Sequence, residues 1–170
     1  IYFSFDFLMS IFRLTKILFV QLILFFIFKV SIISSELQTG YSRDEKSKTA
    51  LLCFDELECI SLEVADTYES RAFGLMGRHY MAMGKGMLFL YEKPSIVSMW
   101  MLNTFIDLDM IFVRNNKVVS IIKNVKPCFE EPCKSYGPLE LVDSVIEVNS
   151  GVASERKMYK GQKINLIYAQ

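Results

Sequence analysis

The side chains that could catalyse a reaction are few in this sequence of 170 residues. His79 is the only histidine, which excludes metal sites built from several histidines. The sequence contains no Gly-x-Ser-x-Gly nucleophile elbow, phosphate-binding loop or dinucleotide-binding fingerprint. A Cys–His pair is also unfavourable, because cysteines joined in disulfides are not available as thiolates. The residues therefore predict no cofactor and favour a noncatalytic protein over an enzyme.

Carboxylates are the remaining candidates for acid–base chemistry. Asp107 and Asp109 lie closest to a predicted pocket, and short acidic side chains commonly accept hydrogen bonds from nearby backbone amides. We expect Asp109 to cap backbone amides beside the corner at residues 103–104, and Asp107 to be solvated. The alternative is that Asp109 or Glu147 acts as a general acid or base on an envelope polymer or a small metabolite.

Four soft ligands lie within one short stretch and could bind copper. They are Met76, His79, Met81 and Met83, and thioethers together with an imidazole suit Cu(I). Methionine is also a common gap-filler of apolar cores, and Met76 lies where a predicted helix needs a buried residue. We therefore expect no metal site and keep Cu(I) binding as the weaker alternative.

The cluster Trp100-Met-x-Asn103-Thr104 could line a small binding cleft. Along a strand, Trp100 and Thr104 would face one way and Asn103 the other. An apolar platform beside an amide and a hydroxyl at a strand end is a common lining for a ligand cleft. The structural alternative is that Trp100 is a core residue and that Asn103 closes a turn. We expect Trp100 to be largely buried.

The N-terminal region predicts an export signal or a membrane anchor. A near-continuous apolar run covers residues 17–28, behind the basic residues Arg13 and Lys16. A helix needs ~20 mostly apolar residues to cross a bilayer, and Lys29 interrupts an apolar stretch of that length. A cleaved signal and an uncleaved anchor therefore both stay open. We expect residues 1–35 to form this segment.

The remaining chain predicts a polar linker over residues 36–48 and a single domain over residues 49–170. The whole chain carries 19 basic and 19 acidic residues, so it lacks the basic field that attracts nucleic acid. We expect a domain outside the cytosol, either periplasmic or anchored in the inner membrane. The membrane is a partner only if the N-terminal segment is not cleaved.

All four cysteines lie in the predicted exported domain. An even number of cysteines suits an oxidising compartment. Their short spacings favour the local pairs Cys53 with Cys59 and Cys128 with Cys133, although four cysteines allow three connectivities. We expect both local pairs to be oxidised.

Short apolar strands separated by turn residues predict a mainly β domain. The predicted strands cover residues 49–54, 58–64, 87–91, 98–102, 109–114, 117–122, 144–148 and 163–168. Asn115-Asn116 predicts a tight hairpin turn, because asparagine tolerates positive φ. Asp66-Thr-Tyr-Glu69 has the spacing of a capping box, Gly77 suits the end of that helix, and a second short helix is predicted within residues 152–159. The pattern indicates a β-sandwich or jelly-roll-like barrel with one or two short helices.

Several motifs occur in an order typical of one protein family. They are Arg71-x-x-Gly74-Leu-Met76, Gly86-Met-Leu-Phe89, Trp100-Met-x-Asn103-Thr104, Leu108-Asp109, Pro127-Cys128, Tyr136 and Glu147-Val-x-x-Gly151. With these motifs, residues 58–168 resemble the bacterial and archaeal domain of unknown function 192 family. The resemblance implies a compact, mainly β, jelly-roll-like domain, often behind an export signal or anchor, and it implies no particular activity.

The sequence departs from this family at Leu102, where lysine usually follows Trp-Met. If that lysine helps to bind an anionic ligand, this chain binds the ligand more weakly or binds something else. The polar motif residues form the candidate site together with Trp100, and they are Arg71, Asn103, Thr104, Asp109, Tyr136 and Glu147. We expect Arg71, Asn103, Asp109 and Tyr136 to converge on one concave face.

The function that these residues favour is a noncatalytic binding or accessory module of the cell envelope, with a small polar cleft. Its ligand would be an unknown small molecule or an envelope component. The alternative is an enzyme that uses Asp109 or Glu147, and a buried carboxylate with a strongly shifted pKa beside an open cleft would favour that alternative.

Overall fold

Seven strands and two short helices follow Lys48 in the computed structural model, which describes residues 21–23, 25, 29, 48–54 and 58–168. The strands are β1 (Thr49–Cys53), β2 (Cys59–Ala65), β3 (Lys85–Ser95), β4 (Leu108–Arg114), β5 (Lys117–Val125), β6 (Val142–Asn149) and β7 (Asn165–Tyr168). The helices are α1 (Tyr68–Phe73) and α2 (Val152–Glu155). The domain is therefore mainly β, as its apolar pattern predicts.

The seven strands belong to one sheet, in the order β5-β4-β6-β3-β2-β1-β7. Strands β2 and β3 pair in parallel, and the other neighbours are antiparallel. The two edges approach each other, because an isolated bridge joins Lys117 at the start of β5 to Lys163 just before β7. Beside this bridge the Val118 amide donates to the Gln162 carbonyl at 2.9 Å. The sheet thus curls until its edges meet, rather than forming two stacked sheets.

Both faces of the curled sheet are buried. On β6, Ile146 and Val148 belong to an inner core, whereas Val145 belongs to a second core on the outer face. Every residue of β4 from Leu108 to Val113 is buried, which explains why this strand is a continuous apolar run instead of an alternating one. The outer core is covered by chain segments outside the sheet, and these segments place a cleft on that face.

Helix α1 begins one residue later than the sequence pattern predicts. Thr67 is the N-cap: its hydroxyl accepts from the Ser70 amide, and the Ser70 hydroxyl accepts from the Thr67 amide, both at 3.0 Å. The predicted capping box of Asp66 and Glu69 is therefore wrong by one position. The Asp66 carboxylate is instead engaged by Lys48 at 2.6 Å.

The same helix also ends earlier than predicted, before Gly77 is reached. Gly74 is the C-cap with a φ of 49°, and its amide donates to the Ser70 carbonyl at 2.9 Å. A Cβ atom at Gly74 would lie 3.2 Å from the Phe89 ring, so a side chain here would crowd the contact between the helix end and β3. No residue of the helix is buried, so its ends are set by the caps and not by the burial of an apolar face.

The β4–β5 hairpin has the turn that its sequence predicts. Asn115 and Asn116 both have positive φ, 49° and 55°. Strand β3 is longer than predicted, because it continues through Pro94 to Ser95 after a register shift against β6. Pro94 is exposed at this end of the strand, where a missing amide proton is tolerated.

Residues 98–102 were predicted as a strand but make only isolated bridges in the described part of the chain. One bridge joins Met99 to Tyr136, and the other joins Leu102 to Cys128. The segment is apolar because its methionines are buried in the outer core, not because it pairs within the sheet.

Both predicted disulfides are present. Cys53–Cys59 joins facing residues of β1 and β2. Cys128–Cys133 closes a short loop after β5. The predicted local pairing is therefore confirmed.

The predicted export segment lies mostly outside the described residues. Within residues 1–35 the structure describes only residues 21–23, 25 and 29. Among all residues that it describes, no helix is long and apolar enough to span a membrane. Lys46–Gln170 forms one compact unit by itself, and the signal or anchor and the linker stay predictions.

Candidate functional site

A narrow cleft lies on the outer face of the sheet, between the end of α1, strands β3 and β6, and the segment 99–104. Its volume of about 30 Å³ suits a water molecule or a small polar group. The predicted site residues that line it are Arg71, Trp100, Thr104 and Glu147. Other lining residues include Gly74, Met76, Phe89, Met99 and Leu102. We call this feature the Glu147 cleft.

Glu147 supplies the buried carboxyl group of the cleft. Its register partners are Met87 of β3 and Met110 of β4, and both belong to the outer core. Glu147 is 4 % exposed, and no described residue donates a hydrogen bond to its carboxyl. Among the described residues no buried side-chain oxygen is left without a partner, so the carboxyl oxygens open onto the cleft. Burial raises the pKa of Glu147 to about 8, so the group is largely protonated at neutral pH. A protonated carboxyl can donate one hydrogen bond, and it can ionise when a cation binds.

Arg71 is fixed beside the cleft by the backbone. Its Nη1 donates to the carbonyl of Asp66 at 2.7 Å and to the carbonyl of Leu90 at 2.8 Å. The guanidinium lies 5.1 Å from the ring centroid of Tyr91. Burial raises the pKa of Tyr91, while Arg71 lowers it and Glu147 raises it further. Arg71 therefore ties the residue before the helix cap to β3 and places a positive charge at the cleft.

Trp100 lies at the rim of the cleft and is 46 % exposed, so the prediction that it is largely buried was wrong. Met99 and Met101 take the buried positions on either side, and their neighbour Trp100 consequently points outward. Thr104 is buried within the cleft. An exposed indole beside a small polar cleft offers a flat apolar surface on which a ligand can stack.

Leu102, where the sequence departs from the family that it resembles, lines the same cleft. A lysine there would bring a positive charge towards the buried carboxyl. Leucine brings none, and burial is the cause of the raised pKa of Glu147. The departure noted in the sequence therefore falls on a lining residue of the candidate site.

Asn103 and Tyr136 hold the cleft segment in place but do not line the cleft. Asn103 is exposed and has a φ of 52°. Its amide donates to the Cys128 carbonyl at 2.8 Å, and its carbonyl accepts from the Gly77 amide at 2.8 Å. The Tyr136 backbone pairs with Met99. Both residues act on the segment through their backbones, as the structural alternative for Asn103 predicts.

Asp109 is fully buried at the start of α2, away from the cleft. Its Oδ1 accepts from the Asn124 amide at 2.9 Å, and its Oδ2 accepts from the amides of Gly151 at 3.0 Å and Ala153 at 2.9 Å. Asp109 therefore caps backbone amides as expected, although not at the corner that includes Asn103. Three donors engage its two oxygens, which leaves Asp109 poorly suited to acid–base chemistry.

Of the four polar residues predicted to converge on one concave face, only Arg71 lines the cleft. The prediction of convergence is therefore wrong, because the other three serve backbone contacts in different places. Asp107 was expected to be solvated, and it forms a partly exposed ion pair with Lys126.

The four candidate copper ligands do not share one site. His79, Met81 and Met83 line an open depression of about 610 Å³ together with Phe105, whose ring stacks on His79 at 3.9 Å. Met76 lines the Glu147 cleft instead. Within the described residues, no group of three or more His, Cys, Asp or Glu side chains could hold a metal ion. Cu(I) binding stays the weaker alternative, and Met76 lies apart from the other three candidate ligands.

Sequence reasoning missed the part that β3 and the end of α1 play in the site. Gly74 and Phe89 line the cleft, and Tyr91 lies against Arg71. Strand alternation could have found Tyr91, because it follows Phe89 by two residues and shares its face.

Comparison with known proteins gives a family and two similar structures. Residues 52–166 match the model of the DUF192 family, described as uncharacterized ACR. No curated protein matches this chain.

Both similar structures are of bacterial proteins. A protein from Sinorhizobium meliloti 1021, described as a candidate transcription regulator, is 29 % identical with a TM-score of 0.62, over 70 % of this chain and 92 % of its own. A protein of unknown function from Novosphingobium aromaticivorans DSM 12444 is 27 % identical with a TM-score of 0.61, over 74 % of this chain and 89 % of its own.

Proposed function

The chain belongs to the DUF192 family, and from this membership and the geometry of the Glu147 cleft we propose that it is a noncatalytic, envelope-associated binding module. The cleft receives one small polar group of a ligand, and the exposed face of Trp100 supports the rest of that ligand. The family carries no assigned activity, so we infer the function from the cleft of this chain.

The observation that carries the proposal is the state of Glu147. The carboxyl of Glu147 is 4 % exposed and receives no hydrogen bond from any described residue, so its oxygens open onto the cleft, and its loss of solvation is unfavourable for folding alone. Such local cost is typical of positions that are kept for function. A ligand hydroxyl, amide or amine would give the carboxyl the partner that the described residues do not supply.

Export is part of the proposal. The apolar run at residues 17–28 supports a signal or an anchor, and the two local disulfides support an oxidising compartment. The name of the Sinorhizobium meliloti relative would suggest regulation of transcription. The balanced charge of this chain does not favour that role, because DNA binding relies on an excess of basic residues.

A screen of small metabolites and soluble glycans, read by NMR on the isotope-labelled protein, tests the proposal. We expect shifts at Trp100, Thr104 and Glu147 for the compounds that bind. Glu147→Gln should weaken binding, whereas Glu92→Gln, an exposed control on β3, should not. Binding that shifts only residues outside the cleft, or that is unaffected by Glu147→Gln, would contradict the proposal.

One observation supports a second candidate function, an enzyme that uses Glu147 as a general acid. Its pKa of about 8 keeps the proton available at neutral pH, next to a cleft. Compounds identified by the screen would be incubated with the protein and analysed for products. Turnover that Glu147→Gln abolishes would favour the enzyme, and unchanged compounds would favour the binding module.

A further inference from the structure

A second, wider groove lies apart from the Glu147 cleft, between the β4–β5 turn, the loop before β6 and the segment before β7. It has a volume of about 790 Å³. The side chains that matter for its chemistry are Arg114, Lys117, Leu139, Glu140, Leu141 and Lys160. None of these residues lines the Glu147 cleft. We call this feature the Leu139 groove.

Two leucines give the Leu139 groove an apolar edge that faces water. Leu139 is 90 % exposed and Leu141 is 45 % exposed. One exposed leucine on a protein surface is ordinary, because much of any surface is apolar. Two on one loop beside a groove form a local apolar patch, and such patches commonly mark contact with a partner or a membrane.

Basic side chains line the same groove as these leucines. Arg114 and Lys117 form no ion pair within the described part of the chain. Lys160 pairs with Glu140 at 2.8 Å, and its hydrogen bond lowers the pKa of Glu140. Three basic residues less one acidic residue leave the lining with a net charge of +2. The groove is therefore complementary to a surface that is both apolar and anionic.

We propose that the Leu139 groove docks the domain on an anionic lipid bilayer. The two leucines enter the interfacial layer, while Arg114, Lys117 and Lys160 contact lipid phosphates. A small soluble anion would satisfy the basic residues but leave Leu139 in water, so a bilayer fits both features better. Each basic residue near an anionic bilayer strengthens partitioning about fivefold.

The predicted export segment would make a weak contact of this kind effective. A signal or anchor brings the domain to a membrane, and a tethered domain samples that surface at a high local concentration. The groove would then set the orientation of the domain on the bilayer.

Vesicle sedimentation tests the proposal on residues 46–170, without the N-terminal apolar run that would itself bind lipid. This part forms a compact unit, and the two solved relatives consist almost entirely of such a domain, with 92 % and 89 % of their chains matched. One set of vesicles is pure phosphatidylcholine, and the other contains one third phosphatidylglycerol. We expect about tenfold or more stronger partitioning to the anionic vesicles, reduced by added salt.

Two double variants separate the apolar and the charged contributions. Leu139→Ser with Leu141→Ser should weaken partitioning about tenfold or more. Arg114→Gln with Lys117→Gln should remove most of the preference for anionic vesicles. Tyr68→Ser, which changes an exposed residue outside the groove, should bind as the unchanged protein does. Circular dichroism checks the fold of each variant, and the exposed leucines are not expected to affect it.

Three results with vesicles would overturn the proposal. They are no binding to either vesicle, equal binding to both, or unchanged binding by the leucine variant. Binding of monomeric octyl phosphate without binding of vesicles would assign the groove to a soluble amphiphile and would also overturn it.

Discussion

At the scale of single residues, Glu147 is an ionisable side chain at a buried position of the apolar outer core. It occupies an outer-core position between Met87 and Met110, where an apolar side chain would be expected. Burial holds the carboxyl in its neutral form and raises its pKa to about 8. The neutral form is the one that the apolar surroundings tolerate.

Glu147 should make the domain less stable as pH rises. The folded state keeps a proton that the unfolded chain releases above its ordinary pKa of 4.5, because the folded pKa is raised to about 8. The stability that the retained proton provides is therefore fully present below pH 4.5 and is lost by about pH 8. Between these values the free energy of unfolding falls by at most about 1.4 kcal/mol per pH unit. Glu147→Gln should remove this slope, and Glu92→Gln should retain it. Urea unfolding across this range measures both, and parallel curves for wild type and Glu147→Gln would contradict the assignment.

Leu102→Lys should lower the pKa of Glu147. The new ammonium would enter the same cleft, where an opposite charge favours the ionised carboxylate. Leu51→Lys, an exposed change on β1, is the matched control and should leave the pKa of Glu147 raised. Carbon-13 NMR of the side-chain carboxyl across a pH titration measures the difference. Equal titration curves in the two variants would show that position 102 does not act on Glu147.

Asp109→Asn should destabilise the domain although it preserves the shape of the side chain. The new amide group places a donor where one of three backbone amides now donates, at a site that is fully buried. We expect a loss of about 1–3 kcal/mol in the free energy of unfolding. Asp107→Asn, which breaks only a partly exposed ion pair, should cost less than about 1 kcal/mol. Thermal melting at neutral pH compares the two variants. If Asp109→Asn melts as the wild type does, Asp109 is not needed for stability and becomes a candidate catalytic residue again.

At the scale of elements, the Cys128–Cys133 disulfide supports the segment that lines the Glu147 cleft. The backbone amide of Cys128 donates to the Met101 carbonyl at 3.1 Å, and the Cys128 carbonyl accepts from the Asn103 amide at 2.8 Å. Replacing both cysteines by serine should loosen this contact, so hydrogen exchange at the Asn103 amide should become faster. The same change at Cys53 and Cys59, which join β1 to β2, should leave that amide unaffected. Equal protection of Asn103 in both double variants would contradict this role.

The elements that sequence predicted well are those fixed by local chemistry. The Asn115-Asn116 turn and the two short-range disulfides follow from residues close together in the chain. The predicted strand at residues 98–102 failed because its apolar pattern reflects burial under tertiary contacts. The helix cap was placed one residue early because two overlapping patterns fit, and the Asp66 side chain is engaged by Lys48.

The candidate site was predicted only in part, for a related reason. The motifs identified Arg71, Trp100, Thr104 and Glu147, which the fold brings to one cleft. The same motifs also contain Asp109, whose partners lie in distant backbone that no local spacing reveals. A motif shows that a position is constrained, and only the fold shows whether a ligand or the backbone constrains it.

At the scale of the whole molecule, the two faces of the curled sheet differ: the inner face is a closed core, and the outer face carries the cleft. The inner face is closed by apolar side chains around residues such as Leu62 and Leu88. The outer face is partly covered by chain segments, and the Glu147 cleft lies where that cover is incomplete. Crowding on the inner face should therefore affect the position of β6 and, through it, the cleft.

Gly86→Ala tests this link between the inner face and the cleft. An added Cβ would lie 2.5 Å from the Glu147 carbonyl oxygen and 2.8 Å from Leu62 Cδ2, so β3 and β6 would have to separate. We expect a loss of about 2–4 kcal/mol in the free energy of unfolding and altered NMR shifts at Glu147 and Thr104. Gly84→Ala is the control, because an added Cβ there meets nothing within 4 Å and costs about 1–2 kcal/mol through its φ of 79°. If Gly86→Ala lowers stability without changing the shifts at Glu147, the cleft is independent of the curvature of the sheet.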